Sequence, residues 1–297
     1  MNRGSLKSIE VGLLRRCKIP MFIKRIRAWL NIIRIGNSIA LGVAAIVGYV
    51  VGGGTSIFNM IKVFLTAFFI GGGGNIVNDY FDRDIDAVNK PWRPIPMGLI
   101  KPEKAYIASL LFFFIGFLIS VLSSYIGSVI ALFAIFLVYM YSYRLKRILL
   151  IGNFVIAFLT ALSIVYGSLF SSCNIHTILT ATYAFLFNLG REFLKGIEDV
   201  EGDKKFNVKT LATEYGASTA FRASLAVYTI LLTLSILPVL YLQYSLTYMI
   251  FALVVDVVII YALMNAKSLE PSKALKSTRF LKIAAFAGLL AFLFHNI

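Results

Sequence analysis

The chain has 297 residues, of which 59% are hydrophobic and 14% are charged, and its formal net charge is +15. Soluble domains usually contain about 45–50% apolar and about 25% charged residues, so this composition excludes a soluble globular protein. Apolar runs of about 20 residues, the length that a bilayer requires, recur along the whole chain. The sequence therefore predicts an all-α polytopic membrane protein.

Nine transmembrane helices are predicted, with short polar connections between them. They cover 35–53, 57–78, 103–122, 124–143, 151–170, 175–195, 218–240, 246–265 and 278–296. These runs are continuously apolar, whereas strands of a membrane barrel alternate in character at every second residue. The basic residues before the first helix are mixed with apolar ones, which is typical of a segment lying on the membrane interface. We expect an interfacial segment over 1–33 and a single helical domain over 34–297.

The basic residues are distributed unevenly about the predicted helices. All but Lys62 of the 29 lysine and arginine residues lie before the first helix or at alternate connections, and therefore on one side. Such an excess marks the cytoplasmic side. We expect a multi-pass protein of the cell membrane, with a polar cavity and cap on the cytoplasmic side. Because topology accounts for the net charge, no nucleic-acid partner is expected.

The second predicted helix ends in a series of polar residues. Asn75, Asp79, Asp82 and Asp86 are spaced four, three and four residues apart, which places them on one face if the helix continues. The preceding glycine run, 71–74, lacks the Gly-Lys-Ser/Thr of a phosphate-binding loop. We expect it to allow close helix packing or a local distortion.

The sixth predicted helix ends in a similar series. It contains Asn188, Glu192, Lys195, Asp199 and Asp203, spaced four, three, four and four residues apart. The unit D-x-x-x-D therefore occurs twice, at 82–86 and at 199–203. Its recurrence four helices later indicates a weak internal repeat, as membrane proteins often have.

Both series predict a metal site. Stacked carboxylates repel one another unless a cation neutralises them, and ionisable groups at membrane depth are costly and usually functional. Mg²⁺ takes one or two carboxylates and completes its shell with water and substrate phosphates. Two opposed units would thus hold a diphosphate at the mouth of an apolar cavity. Nearby basic residues are expected to neutralise the departing diphosphate: Lys90, Arg93, Arg144, Lys146, Arg147, Lys204, Lys205 and Lys209.

Three further titratable residues lie apart from these series. Asp256 falls in the middle of the eighth predicted helix, where we interpret it as an interior structural acid. The two histidines, His176 and His295, are expected on the side away from the acids. Their position argues against a zinc site and against a histidine-based catalytic triad.

The motifs resemble those of the UbiA superfamily of intramembrane prenyltransferases. Asn78-Asp79-x-x-Asp82-x-x-x-Asp86, followed by 89-NKPWRPIP-96, is similar to the first family signature, and Lys195 with Asp199-x-x-x-Asp203 and Lys209 is similar to the second. The stretch 141-YSYRLKR-147 is similar to the family's loop after helix four, and Asn37 matches a polar position in its first helix. One departure is Gly196, where many members have an aspartate. We expect Glu198 or Glu192 to compensate for it.

The resemblance implies a site and a reaction. Mg²⁺ would be held by the catalytic aspartates Asp79, Asp82, Asp86, Asp199 and Asp203 and would bind an isoprenyl diphosphate. Tyr139, Tyr143 and Tyr80 are candidates to stabilise an allylic cation through their ring faces. The residues expected to bind substrate are Asn37, Asn75, Asn78, Lys90, Arg93, Tyr139, Tyr143, Lys146, Asn188, Arg191, Lys195 and Lys209.

The acceptor is open to more than one interpretation. The overall pattern is most similar to the archaeal branch of the family, which joins a geranylgeranyl group to geranylgeranylglyceryl phosphate. The expected partners are then an isoprenyl diphosphate, a lipid phosphate and membrane lipid, while the oligomeric state stays open. The first alternative is an aromatic acceptor, as in quinone, haem or chlorophyll synthesis. A further alternative is a cation-coupled transporter.

Overall fold

The computed structural model describes residues 20–295, and within that range it contains helices and no strand, which confirms the all-α prediction. The longer helices are α1 (Met21–Ile33), α2 (Ile35–Val51), α3 (Ile57–Phe81), α5 (Pro102–Val121), α6 (Tyr125–Tyr143), α7 (Ile151–Ser168), α8 (Ile175–Glu198), α11 (Ala217–Ser235), α13 (Leu246–Ala266) and α14 (Pro271–Leu293). The short ones are α4 (Arg83–Asn89), α9 (Val200–Lys205), α10 (Leu211–Glu214), α12 (Leu237–Leu242) and a 3₁₀ turn, Leu145–Arg147. Residues 1–19 of the predicted interfacial segment lie outside the described range, and the division at residue 34 stays a prediction.

The helices make the chain a multi-pass membrane protein. Within the described residues, six helical segments are long and apolar enough to cross a membrane. They are α3, α5, α6, α7, α13, and α11 together with α12. A seventh span is present if α1 and α2, which meet at a bend of 46°, are counted as one. Helices α8 and α14 have 24 and 23 residues but carry several charged side chains. The count of nine spans therefore stays a prediction.

The glycine run at 71–74 lies within α3, which remains helical through it. A Cβ atom on Gly73 would lie 2.8 Å from the ring of Phe113 in α5, and one on Gly74 would lie 2.7 Å from Val138 in α6. The absence of these side chains lets three helices approach closely. Of the two expected roles, close packing is the one seen here.

One end of the bundle gathers the charged connections. Lys90, just after α4, forms an ion pair with Asp199, just after α8, and Thr278 of α14 donates a hydrogen bond to Glu198. We call this the charged end. The opposite end joins the start of α8 to the segment before α13, through a hydrogen bond between His176 and the hydroxyl of Tyr244. A large cavity lies between the helices and reaches from the charged end into the bundle.

Candidate active site

The first aspartate motif lies at the junction of α3 and α4. Helix α3 ends at Phe81, and Asp82 takes φ −91° and ψ 3° before α4 begins. Hydrogen bonds continue across the junction: the Asp82 amide donates to the Asn78 carbonyl at 2.9 Å, and the Asp86 amide to the Asp82 carbonyl at 2.7 Å. The expected helical face is thus bent at Asp82 but keeps its four-residue bonding.

The second motif has the same local structure. Asp199 lies between α8 and α9 with φ −96° and ψ 3°. Its amide donates to the Lys195 carbonyl at 3.0 Å, and the Asp203 amide donates to the Asp199 carbonyl at 2.9 Å. The two D-x-x-x-D units therefore share one backbone arrangement, which agrees with the predicted internal repeat.

The fold brings the two motifs together. Helix α4 contacts α9, and the Nζ atom of Lys90 lies 3.3 Å from Oδ1 of Asp199. Burial, together with the charges of Asp199 and Asp82, raises the pKa of Asp203 to about 7. Two carboxylates from one motif and one from the other thus share a partly desolvated space, and a bound cation would stabilise it.

Two buried aspartates of the first motif are paired with arginines. Asp79, only 4% exposed, accepts from Arg34 at 2.7 Å and from Arg93 at 3.0 Å. Arg93 also donates to Asp86. Burial raises the pKa of Asp86, although the charge of Arg93 opposes the change. Arg93 therefore links both ends of the first motif.

Asp82 is bound by a lysine from another connection. Lys146, in the 3₁₀ turn after α6, donates to one carboxylate oxygen of Asp82. The amide of Asn78 donates to the other oxygen at 3.0 Å. Burial lowers the pKa of Lys146, and the nearby Asp82 carboxylate counteracts that effect. The ion pair thus stabilises the charged forms of two desolvated groups.

The carboxylates expected to compensate for Gly196 have other partners. Glu192 accepts from Arg191 and from Lys195, both at 3.1 Å. Glu198 accepts from the hydroxyl of Thr278 at 2.6 Å. A Cβ atom on Gly196 would face Thr210 and Ala212 of the α10 region at 3.7–3.8 Å. The second D-x-x-x-D unit therefore lacks a third aspartate in register with Asp79, and among the described residues neither glutamate is hydrogen-bonded to Asp199 or Asp203.

Mg²⁺ fits the chemistry of the donor groups. Among residues 20–295, no three acidic, cysteine or histidine side chains are placed so that they could hold a metal ion together. Mg²⁺, however, needs only one or two protein carboxylates and completes its shell with water and substrate phosphates. Hard oxygen donors of this kind are present at Asp82 with Asn78 and at Asp199 with Asp203.

Beside the two motifs opens a cavity of about 1800 Å³. Its charged residues other than Asp256 lie toward the charged end, and apolar side chains line most of the remainder. Eight of the residues predicted to bind substrate line it: Asn37, Asn75, Asn78, Lys90, Arg93, Asn188, Arg191 and Lys195. An apolar cavity whose entrance carries cationic and amide side chains suits an amphiphile with a long apolar tail and an anionic head group.

The structure does not bring the predicted aromatic residues to this cavity. Tyr139 bonds to the hydroxyl of Tyr106 at 3.2 Å, Tyr143 is 56% exposed, and neither they nor Tyr80 line the cavity. Helix α6 instead presents Tyr141, with Val138 and Ala134 on the same face. These positions are three and four residues apart and so share one face of the helix, but the uniformly apolar sequence of α6 does not single out that face.

Other predicted residues have supporting contacts. Asn75 donates to the Ile33 carbonyl at 3.0 Å and so ties α3 to the α1–α2 junction. Lys209 is exposed and does not line the cavity. Its backbone amide donates to the Arg147 carbonyl at 3.4 Å. Asp256 lines the inner part of the cavity and receives a hydrogen bond from Ser235 at 2.9 Å, a contact that agrees with a structural role.

Several lining or pairing residues were not predicted, and among them are Arg34, Tyr141, Arg279 and Lys282. From the sequence, the three basic ones were expected only to mark the cytoplasmic side. Arg279 and Lys282 are three residues apart on α14, with Thr278 beside them. That spacing could have placed them on one helical face.

Known proteins resemble this chain over most of its length. The model of the UbiA prenyltransferase family matches residues 39–288. A digeranylgeranylglyceryl phosphate synthase of Hyperthermus butylicus is 36% identical over 293 residues, covering 91% of this chain and 97% of that protein. A solved digeranylgeranylglyceryl phosphate synthase structure is 30% identical with a TM-score of 0.72, covering 92% of this chain and 98% of the other.

A more distant solved structure shares the fold. It is a UbiA homologue from Archaeoglobus fulgidus bound to DMAPP and Mg²⁺, 17% identical with a TM-score of 0.66, and the match covers 88% of this chain and 98% of that one. The extent of the family match establishes the class. This chain belongs to the UbiA prenyltransferase family. The transporter alternative is therefore set aside.

Proposed function

We propose that the protein transfers a geranylgeranyl group from geranylgeranyl diphosphate to geranylgeranylglyceryl phosphate. The product carries the second ether bond of an archaeal membrane lipid, and diphosphate is released. Relatives named for this activity align with nearly the whole chain. Family membership makes the protein an intramembrane prenyltransferase, and the similarity to these relatives favours the lipid phosphate acceptor.

The observation that carries the proposal is the opposition of the two D-x-x-x-D units beside the cavity, which Asp199 and Lys90 line. The ion pair between Lys90 and Asp199 joins the two units. A prenyl diphosphate would place its head between them and its tail in the apolar part of the cavity. Asp82, Asp86, Asp199 and Asp203 would hold Mg²⁺, with Asp79 behind them. Bound Mg²⁺ supplies positive charge that stabilises the departing diphosphate.

The protein's own cations serve the leaving group as well. Lys90, Arg93 and Lys146 form ion pairs with carboxylates of the two motifs. Once the diphosphate is bound, these side chains are free to donate hydrogen bonds to its oxygens. Charge-assisted donors of this kind stabilise charge that develops in the transition state.

In the reaction, the bond between the allylic carbon and the diphosphate oxygen breaks, and its electron pair leaves with the diphosphate. The acceptor's hydroxyl oxygen forms the new ether bond to that carbon and releases its proton. The apolar cavity walls exclude water, which would otherwise capture the cation. By the distribution of basic residues, the site opens to the cytoplasm.

Product analysis tests the proposal. Purified protein in detergent receives geranylgeranyl diphosphate with either geranylgeranylglyceryl phosphate or 4-hydroxybenzoate, each with Mg²⁺ and with a chelator. Ether formation on the glyceryl phosphate that the chelator abolishes is the expected result. Transfer to the aromatic ring alone would contradict the proposed acceptor and assign the protein to the aromatic-acceptor branch.

A further inference from the structure

One face of α14 lines the cavity from the charged end inward. Its residues there include Leu275, Thr278, Lys282, Ala285 and Leu289, spaced three or four positions apart, with Arg279 and Phe286 next to them. The first turns carry polar and basic groups, whereas Ala285, Phe286 and Leu289 continue the face as an apolar wall. This face therefore presents a cationic head region above a surface suited to a lipid tail.

The neighbouring face of α8 adds a second source of positive charge. Arg191 and Lys195 both donate to Glu192, so two cations share one carboxylate. The Nε atom of Arg191 is buried and has no hydrogen-bond partner in the part of the chain that the structure describes. An unsatisfied buried donor of a charged group is costly, and a ligand that accepts from it regains that free energy.

Lys282 has no ion-pair partner within residues 20–295, and neither has Arg279. The charge of Lys282 is repelled by Arg191, Arg34 and Lys195 and attracted by Glu198. One oxygen of Glu198 is already engaged by Thr278. These interactions leave Lys282 in an electropositive environment.

The balance of charge differs between the two sides of the cavity mouth. On the side of the first motif, Asp79, Asp82 and Asp86 are all paired with basic side chains. On the α8–α14 side, four cations face only two carboxylates: Arg191, Lys195, Arg279 and Lys282 against Glu192 and Glu198. A phosphate monoester carries about −1.5 to −2 charge at pH 7, which matches this surplus.

We propose that Arg191 and Lys282, supported by Arg279, form the site for the phosphate of the acceptor lipid, separate from the diphosphate site at the aspartate motifs. This inference rests on the proposed function. The phosphate would accept from Arg191 Nε and Lys282 Nζ, and the acceptor's prenyl chain would lie along the apolar part of α14. The cavity exceeds the roughly 300–1,000 Å³ of a pocket for one small ligand, as two lipid substrates require.

A set of lysine substitutions tests the site in the full-length protein. Lys282→Met removes the charge and keeps the length of the side chain, and Lys282→Arg restores a cation. Lys276→Met is the matched control, because Lys276 lies on the same helix beside Tyr261 and does not line the cavity. We would measure KM for the donor, for geranylgeranylglyceryl phosphate and for geranylgeranylglycerol, which lacks the phosphate.

Lys282→Met is expected to raise KM for the phosphorylated acceptor about ten- to hundredfold, the effect of losing one charge-assisted hydrogen bond. KM for the donor and kcat/KM for the unphosphorylated acceptor should stay within about twofold of the wild type, as should every constant of the control. Lys282→Arg should recover most of the loss. An equal loss with both acceptors, or a raised KM for the donor, would overturn the proposal.

Equilibrium binding separates this site from the proposed reaction. Without Mg²⁺ and donor, the wild type should bind geranylgeranylglyceryl phosphate more tightly than geranylgeranylglycerol, and Lys282→Met should abolish the difference. A wild type that shows this preference yet fails to form the ether would contradict the proposed function and leave the phosphate site standing. A wild type without the preference would overturn the site.

Discussion

Lys90 Nζ lies 3.3 Å from Asp199 Oδ1 and joins the connection after the first aspartate motif to the second motif. Its neighbours in sequence, Arg93 and Asp86, form an ion pair with each other within the first motif. The lysine is therefore placed to act on whatever binds between the two motifs. The ion pair offsets the charge of the Asp199 carboxylate, and the same ammonium group can donate to a diphosphate bound between the motifs.

Lys90→Met should lower kcat by about two orders of magnitude, as expected when a group that stabilises a developing charge is removed. The thermal unfolding temperature should change little, because the ion pair is partly exposed and such pairs contribute about 0–1 kcal/mol. Lys104→Met is the control, since Lys104 is exposed and lies at the start of α5. Equal activity in both variants would contradict the assigned role.

Three aspartate substitutions distinguish the loss of the site from the loss of the fold. Asp203→Asn should reduce turnover at least about a hundredfold. It should not lower stability, because Asp203 has no ion-pair partner among the described residues and its burial already disfavours the charged form. Asp82→Asn should lose turnover and also stability, since it leaves the buried Lys146 unpaired.

Asp84→Asn is the matched control for both. Asp84 lies in the same short helix as Asp86, but its side chain is 81% exposed and 3.8 Å from Arg83. Turnover and unfolding temperature in detergent would be measured for all three variants. Wild-type turnover in Asp203→Asn would remove that residue from the site, and a loss in Asp84→Asn would mean that the effect is not specific.

The close contact of α2 with α7 gives a prediction about stability alone. A Cβ atom on Gly167 would lie 1.8 Å from the backbone oxygen of Ala45, which has no room to move without shifting a helix. Gly167→Ala should therefore destabilise the protein by about 1–3 kcal/mol or more. Gly288→Ala is the control, because its Cβ would meet only Val255 at 3.8 Å. Equal unfolding temperatures in the two variants would contradict this packing.

The sequence was sufficient to place both aspartate motifs, because spacing along a helix is a local property. Tyr139 and Tyr143, the aromatic residues predicted on α6, do not line the cavity, because the rotation of a helix is not a local property of its sequence. That helix is apolar on every side, so its sequence does not tell which face meets the cavity, and its rotation is set by packing against α3, α5 and α7. Tyr141 faces inward in place of Tyr139 and Tyr143.

The partners of the carboxylates could not be predicted either. Arg34 reaches Asp79 because it takes a left-handed conformation, φ 51°, at the bend between α1 and α2. Nothing in the local sequence indicates that bend. The last helix was predicted to begin at residue 278 and instead begins at Pro271, a residue well suited to the first helical turn. Because the first turns of α14 carry Lys273 and Lys276, the pattern of apolar residues does not predict that they are helical.

The opposite end of the bundle carries a histidine pair whose protonation should affect stability. The ring of His295, 6% exposed, lies 5.3 Å from that of His176 and 4.8 Å from that of Tyr244. Its Nδ1 atom lies 2.8 Å from the Phe292 carbonyl. Burial lowers the pKa of His295 below its usual 6.5, and the charge of His176 acts in the same direction.

Because the folded protein binds this proton less readily than the unfolded chain, the contribution of His295 is fully present above pH 6.5 and is lost as the pH falls toward the lowered pKa. The raised pKa of Asp203 acts in the opposite sense, so a comparison of variants is needed. Between pH 7.5 and 5, the unfolding temperature of the wild type should fall relative to that of His295→Gln. Parallel curves for the two proteins would assign the pH dependence to other groups.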